Sequence, residues 1–391
     1  MKQIKHAAVG SVLGLLACAF STQVLAQTSV QVGGMLDVYA GSIKRSGDAA
    51  STSVVNSGGL QTSWWGFKGT EELGNGLKAH FALTGFMRPD VGAMGRFGTD
   101  TMFSRDANVG LSGSFGTVSL GRDLAPNFVP SLTFNPFGSS FQFSPLGLHT
   151  QTSSSRYAGR AWSATVAGDT AWSNEIMYVT PKLGGFTTSL FLQLGEQAGS
   201  SGKNNFGANT MYANGPLSFG AYFQSVKSNN PVDPVTGASQ VFSFTPYNRA
   251  SGATYALAAS KNDTWFVGGA YDLQFIKLFG TLNYSTNKLL NAADDSRYDL
   301  KSNTVQLGAS MPIGKGSALL SWARTNVKAD GDLSAVLGNS DVQSSLVRNT
   351  VSLGYDYFLS KRTDVYSVVS YDKLTAQSSG VSAGFGIRQR F

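Results

Sequence analysis

From Ser29 onward the chain alternates apolar and polar residues in short runs. Val30, Val32, Leu36 and Val38 fall on one face, and Gln31, Asp37 and Tyr39 on the other. A period of two sustained over about 9–11 residues marks a transmembrane β-strand, with one face to lipid and one to the lumen. The stretch Ser63–Leu83, SWWGFKGTEELGNGLKAHFAL, predicts a hairpin. Its turn is Glu71-Glu72-Leu73-Gly74-Asn75-Gly76, an Asn-Gly type of connection. The return strand places Leu77, Ala79, Phe81 and Leu83 outward and Lys78, His80 and Thr84 inward. The next hairpin, Thr101 to Arg122, turns near Ser112–Gly116.

Then the alternation stops, from Asp123 to Thr170. This stretch carries Phe128, Phe134, Phe137, Phe141, Phe143, Leu146 and Leu148, and has no acid between Asp123 and Asp169. Long structureless loops are uncommon unless functional, and a solvated one would not carry so much apolar surface. The expectation is a loop folded inward that narrows a pore.

Alternation resumes beyond it. Outward sets in several strands include Leu217/Phe219/Ala221/Phe223 and Val305/Leu307/Ala309/Met311; facing is ambiguous from Thr363 to Leu374. Turns at one end are short, at Pro181–Gly185, Asn214–Pro216, Ile313–Gly316 and Leu359–Arg362. Loops at the other end are long and polar, near 195–205, 227–261, 289–302 and 329–347. That asymmetry belongs to an outer-membrane barrel. Counting predicts an all-β chain: a transmembrane antiparallel barrel of about 16 strands, enough for a water-filled lumen.

Composition agrees. Of 391 residues, 46 are Gly and 11 Pro; only 14% are charged and 12% are aromatic. No run of about 18 apolar residues follows the N-terminal segment, so no spanning helix is expected. The first residues read as a signal peptide. Lys2 and Lys5 precede an apolar run, Ala7 to Phe20, and Val24-Leu25-Ala26 offers a cleavage site. Residues 1–26 are then removed and 27–391 form one barrel domain. The formal charge of +7 becomes +5 as Lys2 and Lys5 leave. The single cysteine, Cys18, lies in the removed segment. Leu15-Leu16-Ala17-Cys18 also reads as a lipoprotein site, the minor alternative.

Ser63–Leu83, then SRDANVGLSGSFGTVSLGRD (Ser104–Asp123), then FNPFG (Phe134–Gly138) and the terminal Ile387-Arg388-Gln389-Arg390-Phe391 resemble the Gram-negative general porins of the β-proteobacterial type. The resemblance implies a 16-stranded homotrimer in the outer membrane, beside lipid and lipopolysaccharide. It also implies passive diffusion of small hydrophilic solutes and ions, and a third loop in the lumen. The constriction loop would be centred on Phe134, Asn135, Pro136, Phe137 and Gly138. Phe391 would be the signal read by the barrel-assembly machinery.

Arg105 matches the family's constriction arginine. Lys68 and Lys78 on the wall join it, with Arg156 and Arg160 beyond the apolar part of the loop. Asp37 is the nearby wall acid. A lumen lined by positive side chains attracts anions, so mild anion selectivity is expected. Trp64 departs from the family pattern, which carries Arg there. It weakens that argument and offers either a stacking surface for sugars or aromatic solutes, or packing under the loop.

Taking Leu111 opposite Thr117 places Asp106 across from Arg122. That register puts Asp106, Asn108 and Arg122 on the outer face. A charge facing lipid costs about 2–4 kcal/mol at mid-bilayer, so the three are expected at a trimer interface formed by strands 1–5 and the last strand. The chain carries no catalytic or metal-binding constellation. His80 and His149 are far apart, no cofactor is implied, and the dispersed positive charge does not fit nucleic acid. The alternatives to a passive channel are a substrate-selective channel for sugars or aromatic acids, and a secreted or lipid-anchored adhesin.

Overall fold

The computed structural model describes residues 29–98, 100–151, 169–196, 198–199, 204–227, 243–244, 257–291, 297–331 and 345–391. The signal peptide, Arg156 and Arg160 lie outside them. The described residues form nineteen strands and two short helices. In order these are β1 (Ser29–Ile43), β2 (Thr52–Ser57), β3 (Trp64–Gly74), β4 (Leu77–Arg88), β5 (Ala93–Met94), β6 (Asp106–Gly113) and β7 (Gly116–Leu124). Next come α1 (Phe128–Thr133) and α2 (Pro145–Thr150), then β8 (Ala171–Val179), β9 (Phe186–Gln193), β10 (Asn205–Asn214), β11 (Leu217–Lys227) and β12 (Ser243–Phe244). The last are β13 (Leu257–Asp272), β14 (Lys277–Asn291), β15 (Arg297–Ile313), β16 (Gly316–Ala329), β17 (Ser345–Phe358), β18 (Thr363–Leu374) and β19 (Gly380–Arg390).

β2 pairs along the upper half of β1, from Val38↔Ser57 to Ile43↔Thr52, and β5 and β12 are two-residue strands in loops. The other sixteen form a closed antiparallel barrel, each pairing with its neighbour in sequence, and β19 pairs with β1 from Met35↔Arg390 to Ser42↔Ala383. Closure leaves no unpaired edge, the one way a sheet satisfies its backbone in hydrocarbon. The Asn75-Gly76 turn has both residues at positive φ, 52° and 77°, as a tight hairpin of this twist requires.

Facing follows the pleat. Val30, Val32, Leu83, Val267, Leu282 and Leu307 are exposed on the outside, while Thr84, Phe266, Thr281, Asn283 and Gln306 on alternate positions are covered within. The ambiguous strand is resolved: Tyr366, Val368, Ser370 and Asp372 of β18 are buried, and Val369 and Tyr371 face out.

Residues 125–151 pack against the inward side of the wall. The neck of this segment is closed by the Ala125 N–H donating to the Thr170 carbonyl. Phe134 packs with Leu146, Tyr222, Phe266, Ala270 and Phe279, and Phe137 and Phe143 pack with Tyr39, Leu60, Tyr366 and Val368. Burial of each such ring stabilises the docked loop by about 1.5–3 kcal/mol. The wall accommodates them with inward glycines. A Cβ on Gly268 would lie 2.7 Å from Phe134 Cδ2, and one on Gly308 2.5 Å from Pro136 Cγ. Gly354 and Gly384 seat Phe137 and Phe143 in the same way.

This seating is testable at adjacent positions. Gly268→Ala is expected to overpack Phe134, costing about 1–3 kcal/mol and lowering the unfolding temperature. Gly269→Ala, whose nearest new contact is 3.6 Å away, should leave it unchanged. Equal shifts in a thermal melt of the two folded variants would refute the seating.

Candidate functional site

The wall of the lumen carries a compact charged cluster built on β3, β4 and the start of β6. Trp64, Gly66 and Lys68 share the inward face of β3. The Arg105 guanidinium stacks over Trp64, 4.2 Å from the ring centroid. Arg105 Nη1 donates to Asp106 Oδ2 at 2.8 Å and to Thr84 Oγ1 at 3.3 Å. The Thr84 hydroxyl donates to the same Asp106 oxygen at 2.7 Å, and Lys68 Nζ lies 3.5 Å from it. One recessed carboxylate therefore holds two cations, and an indole holds one of them flat.

The order of exposure matters more than the sum of charge. Side-chain exposure is 52% for Lys68, 20% for Arg105 and 5% for Asp106. The cations meet water and the anion lies behind them. Trp64, Lys68 and Arg105 thus come together. Lys78 instead pairs with Glu72 at 2.6 Å near the short-turn end.

Asp37 does not line the pore. It is fully buried and accepts from the backbone N–H groups of Gly59, Leu60 and Gln61 and from the Tyr366 hydroxyl. Its charge is used to pin the segment that follows β2 against the wall. Sequence parity places Asp37 inward correctly but carries no sign of the chain that covers it.

The expected outer-face placement of Asp106 and Asn108 is corrected by one residue of register. Leu111 pairs with Val118, and Arg122 with Ala107, not Asp106. A one-residue slip exchanges the faces of a strand. Asp106 faces the lumen cluster, and Asn108, on the same face, donates to Asp123 Oδ2 at 3.0 Å. Arg122 is buried within the protomer: Nε donates to the Ser104 carbonyl at 2.7 Å, Nη1 to Ser173 at 3.0 Å and Nη2 to Asp169 at 2.9 Å. No lipid-facing charge remains on this hairpin to be explained by a neighbouring protomer.

Asp169 was missed by sequence reasoning. It also receives Arg96, whose Nη2 lies 2.8 Å away, and Arg96 further pairs with Asp100. Burial acts to lower the Arg96 pKa, but Asp169 and Asp100 outweigh it and hold the guanidinium above its ordinary value. The segment between β4 and β6 is thereby tied to the end of the long loop. The only signal in sequence was the lone acid closing an acid-free stretch.

The FNPFG stretch is a turn closed by its own side chain. Asn135 Oδ1 accepts from the Phe137 N–H at 3.1 Å, and Nδ2 donates to the Gly138 carbonyl at 2.8 Å and to Ser144 Oγ at 2.6 Å. Gly138 sits at φ 52°. Ser144 then caps α2, accepting from the Gly147 N–H at 3.0 Å, with Pro145 as the first helical residue. Arg45 and Arg348 clamp the loop carbonyls of Gln142 and Leu148. His149 is fully buried, its Nδ1 2.8 Å from Thr325 Oγ1 and its Nε2 2.7 Å from Thr350 Oγ1. Thr350 gives its hydroxyl proton to Asp372 at 2.7 Å. Thr350 can then only accept from the ring, so His149 carries its proton on Nε2 and Nδ1 accepts from Thr325. Burial, with Arg348 nearby, pushes the His149 pKa well below its usual range.

His80 lies 3.2 Å from Ser119, and among the described residues no acid bonds to the pair. Phe391 closes the barrel: its N–H donates to the Gly34 carbonyl at 3.1 Å, its carbonyl accepts from the Gly34 N–H at 3.2 Å, and its ring is half exposed.

The family model described as Gram-negative porin matches residues 13–377. Outer membrane porin protein 32 of Delftia acidovorans is 30% identical, the alignment covering 96% of this chain and 94% of that protein. An outer membrane porin protein of Bordetella pertussis is also 30% identical, over 96% of this chain and 98% of that protein. Among solved structures, the anion-selective porin from Comamonas acidovorans superposes with a TM-score of 0.68 at 26% identity, over 93% of this chain and 100% of that one.

The His149 anchor makes loop docking depend on pH. The docked pKa lies below the ordinary value of about 6.5, so the undocked state binds the proton more readily. Docking stability is complete above that value and is lost as pH falls below it. Hydrogen exchange of 145–151, corrected for its intrinsic pH dependence, should rise from pH 7 to 5. In His149→Gln it should not change; an identical rise in the variant would refute the assignment.

Proposed function

The chain belongs to the Gram-negative porins, outer-membrane channels rather than enzymes, and on that premise we propose a diffusion pore for small hydrophilic solutes and ions with a mild preference for anions. The exposure order of the wall cluster supports this selectivity most directly. Lys68 and Arg105 present their charge to the lumen, while Asp106 is recessed behind them. In a water-filled passage with low-dielectric walls, the nearest charge dominates an ion's energy. Asp106 makes the preference mild, because it cancels part of the field while orienting both cations. The anion-selective character of the Comamonas acidovorans neighbour is consistent with the same reading.

The docked segment 125–151 supplies the opposite side of a constriction. A pore selective for sugars or aromatic acids is not favoured. Trp64 already has a face taken by Arg105, and Phe134, Phe137 and Phe143 are buried against the wall. A homotrimer is part of the proposal. Its interface would use the exposed apolar side chains of β1, β3 and β4, Val30, Val32 and Leu83 among them.

Asp106→Asn should raise the anion-to-cation permeability ratio, and Lys68→Gln should lower it. One unit charge about 10 Å from a permeating ion is worth about 0.4 kcal/mol in water. Acting oppositely on the two ions, it changes the ratio roughly two- to fourfold. Reversal potentials of reconstituted channels in a salt gradient measure this; a fall in anion preference in Asp106→Asn would sink the cluster as the selectivity element.

A further inference from the structure

The inward wall between β6 and β9 carries a carboxylate that the channel does not use. Glu175 is 2% exposed, and among the described residues neither of its oxygens has a hydrogen-bond partner. The register shows what lies beside it. Asn108 pairs with Gly121, Gly121 with Glu175, and Glu175 with Gln193, so these four positions form one level row on the lumen side. Gly121 has no side chain, so Asn108 and Glu175 stand on either side of a bare backbone. Asp123 follows two residues further along β7, on the same face, and accepts from Asn108 Nδ2 at 3.0 Å.

Burying a carboxylate without a partner is costly, so its charge has to be neutralised. The neighbouring side chains are committed elsewhere. Asp123 repels the Glu175 charge and Arg122 attracts it, but Arg122 is bonded to the Ser104 carbonyl, Ser173 and Asp169. Lys68 and Arg105 act on Asp123, yet both are paired with Asp106. The Gln193 amide donates to the Ser173 carbonyl at 2.8 Å, and its oxygen accepts from Asn205 at 2.7 Å. What faces Glu175 is oxygen. Its own two oxygens, the Asp123 carboxylate and the Asn108 amide oxygen are hard donors, a set that suits calcium rather than zinc or copper. A proton would quench the charge but would make no use of the second carboxylate or of the amide oxygen.

We propose that Glu175, Asp123 and Asn108 hold one calcium-like divalent cation at the root of the docked loop. Glu175 binds through both oxygens, Asp123 and the Asn108 amide oxygen contribute the rest, and lumen water completes a shell of about six to eight. Asp123 is only partly buried, so the ion enters from the water of the lumen. It joins β6, β7 and β8 just before the neck, where the Ala125 N–H donates to the Thr170 carbonyl. It also keeps two carboxylates from adding negative charge to the wall beside Lys68 and Arg105. The site exists whether or not the pore prefers anions.

The test uses the full chain as a folded barrel in detergent, free of anionic lipid and stripped with a chelator. Terbium(III) is the probe, a stand-in for calcium that emits when a nearby indole is excited. Trp172 is fully buried and directly opposite Asp123, which places it to sensitise the ion. The wild type should take up one terbium per protomer and release it to calcium more readily than to magnesium. Loss of even an outer-shell partner costs a metal site about 10–100-fold in affinity, so Glu175→Gln, which removes a ligand, should bind at least about tenfold more weakly. Trp172→Phe should dim the sensitised emission while direct excitation reports the same occupancy. Glu72→Gln, an exposed carboxylate near the short-turn end, should bind as the wild type does. Calcium should raise the unfolding temperature of the wild type and leave that of Glu175→Gln unmoved. No uptake by the wild type, the result expected if Glu175 carries a proton instead, would overturn the proposal, as would uptake that Glu175→Gln leaves unchanged. Should Glu175→Gln fail to fold, Asp123→Asn should show the same loss, and unaltered binding there would overturn the proposal equally. Binding is read in detergent, so its failure is separate from failure of the channel reading.

Discussion

Everything in this molecule depends on the pairing of β19 with β1. In hydrocarbon an unpaired backbone N–H or carbonyl costs several kcal/mol, so a spanning sheet survives only when its last strand finds its first. Here that seam runs from Ser42↔Ala383 to Met35↔Arg390 and is finished by the reciprocal bonds of Gly34 and Phe391. Closure also fixes which side chains face in. Once the ring is shut, the pleat leaves each residue either in lipid or in the lumen.

The lumen is then furnished by a loop that behaves as a core. Its aromatic residues have no sheet of their own, and they use the inward wall as one. Glycines at 268, 308, 354 and 384 remove the side chains that would otherwise stand where the loop's rings and Pro136 lie. Polar anchors set the position that packing alone would leave loose. Asn135 closes the turn, Ser144 starts α2, and His149 ends it between two threonines. Arg96 and Arg122 share Asp169 at the far end of the loop. Buried ion pairs of this kind are weak evidence for stability but good evidence for a specified arrangement.

Selectivity rests on a different use of charge. The wall cluster sets two cations against one anion, and the anion lies deepest. Asp106, recessed, orients Lys68 and Arg105, and Trp64 keeps the guanidinium flat against the wall. The same carboxylate that aims the cations also limits them.

The sequence by itself determined the barrel, its strand number and the rim that carries the long loops. All of these rest on period two, turn chemistry and the expulsion of apolar surface from water, which are local. It also placed Lys68, Trp64 and Arg105 together, the first two by parity and the third through family resemblance. Tertiary structure alone decided the roles of Asp37, Asp106 and Arg122. Asp37 is inward, as its parity requires, but three N–H groups from residues 59–61 and a tyrosine from β18 take its charge. Asp106 changes face on a register difference of one residue, because Leu111 meets Val118. Register and loop docking are set by partners distant in the chain, and a residue's own neighbours in sequence hold no record of them.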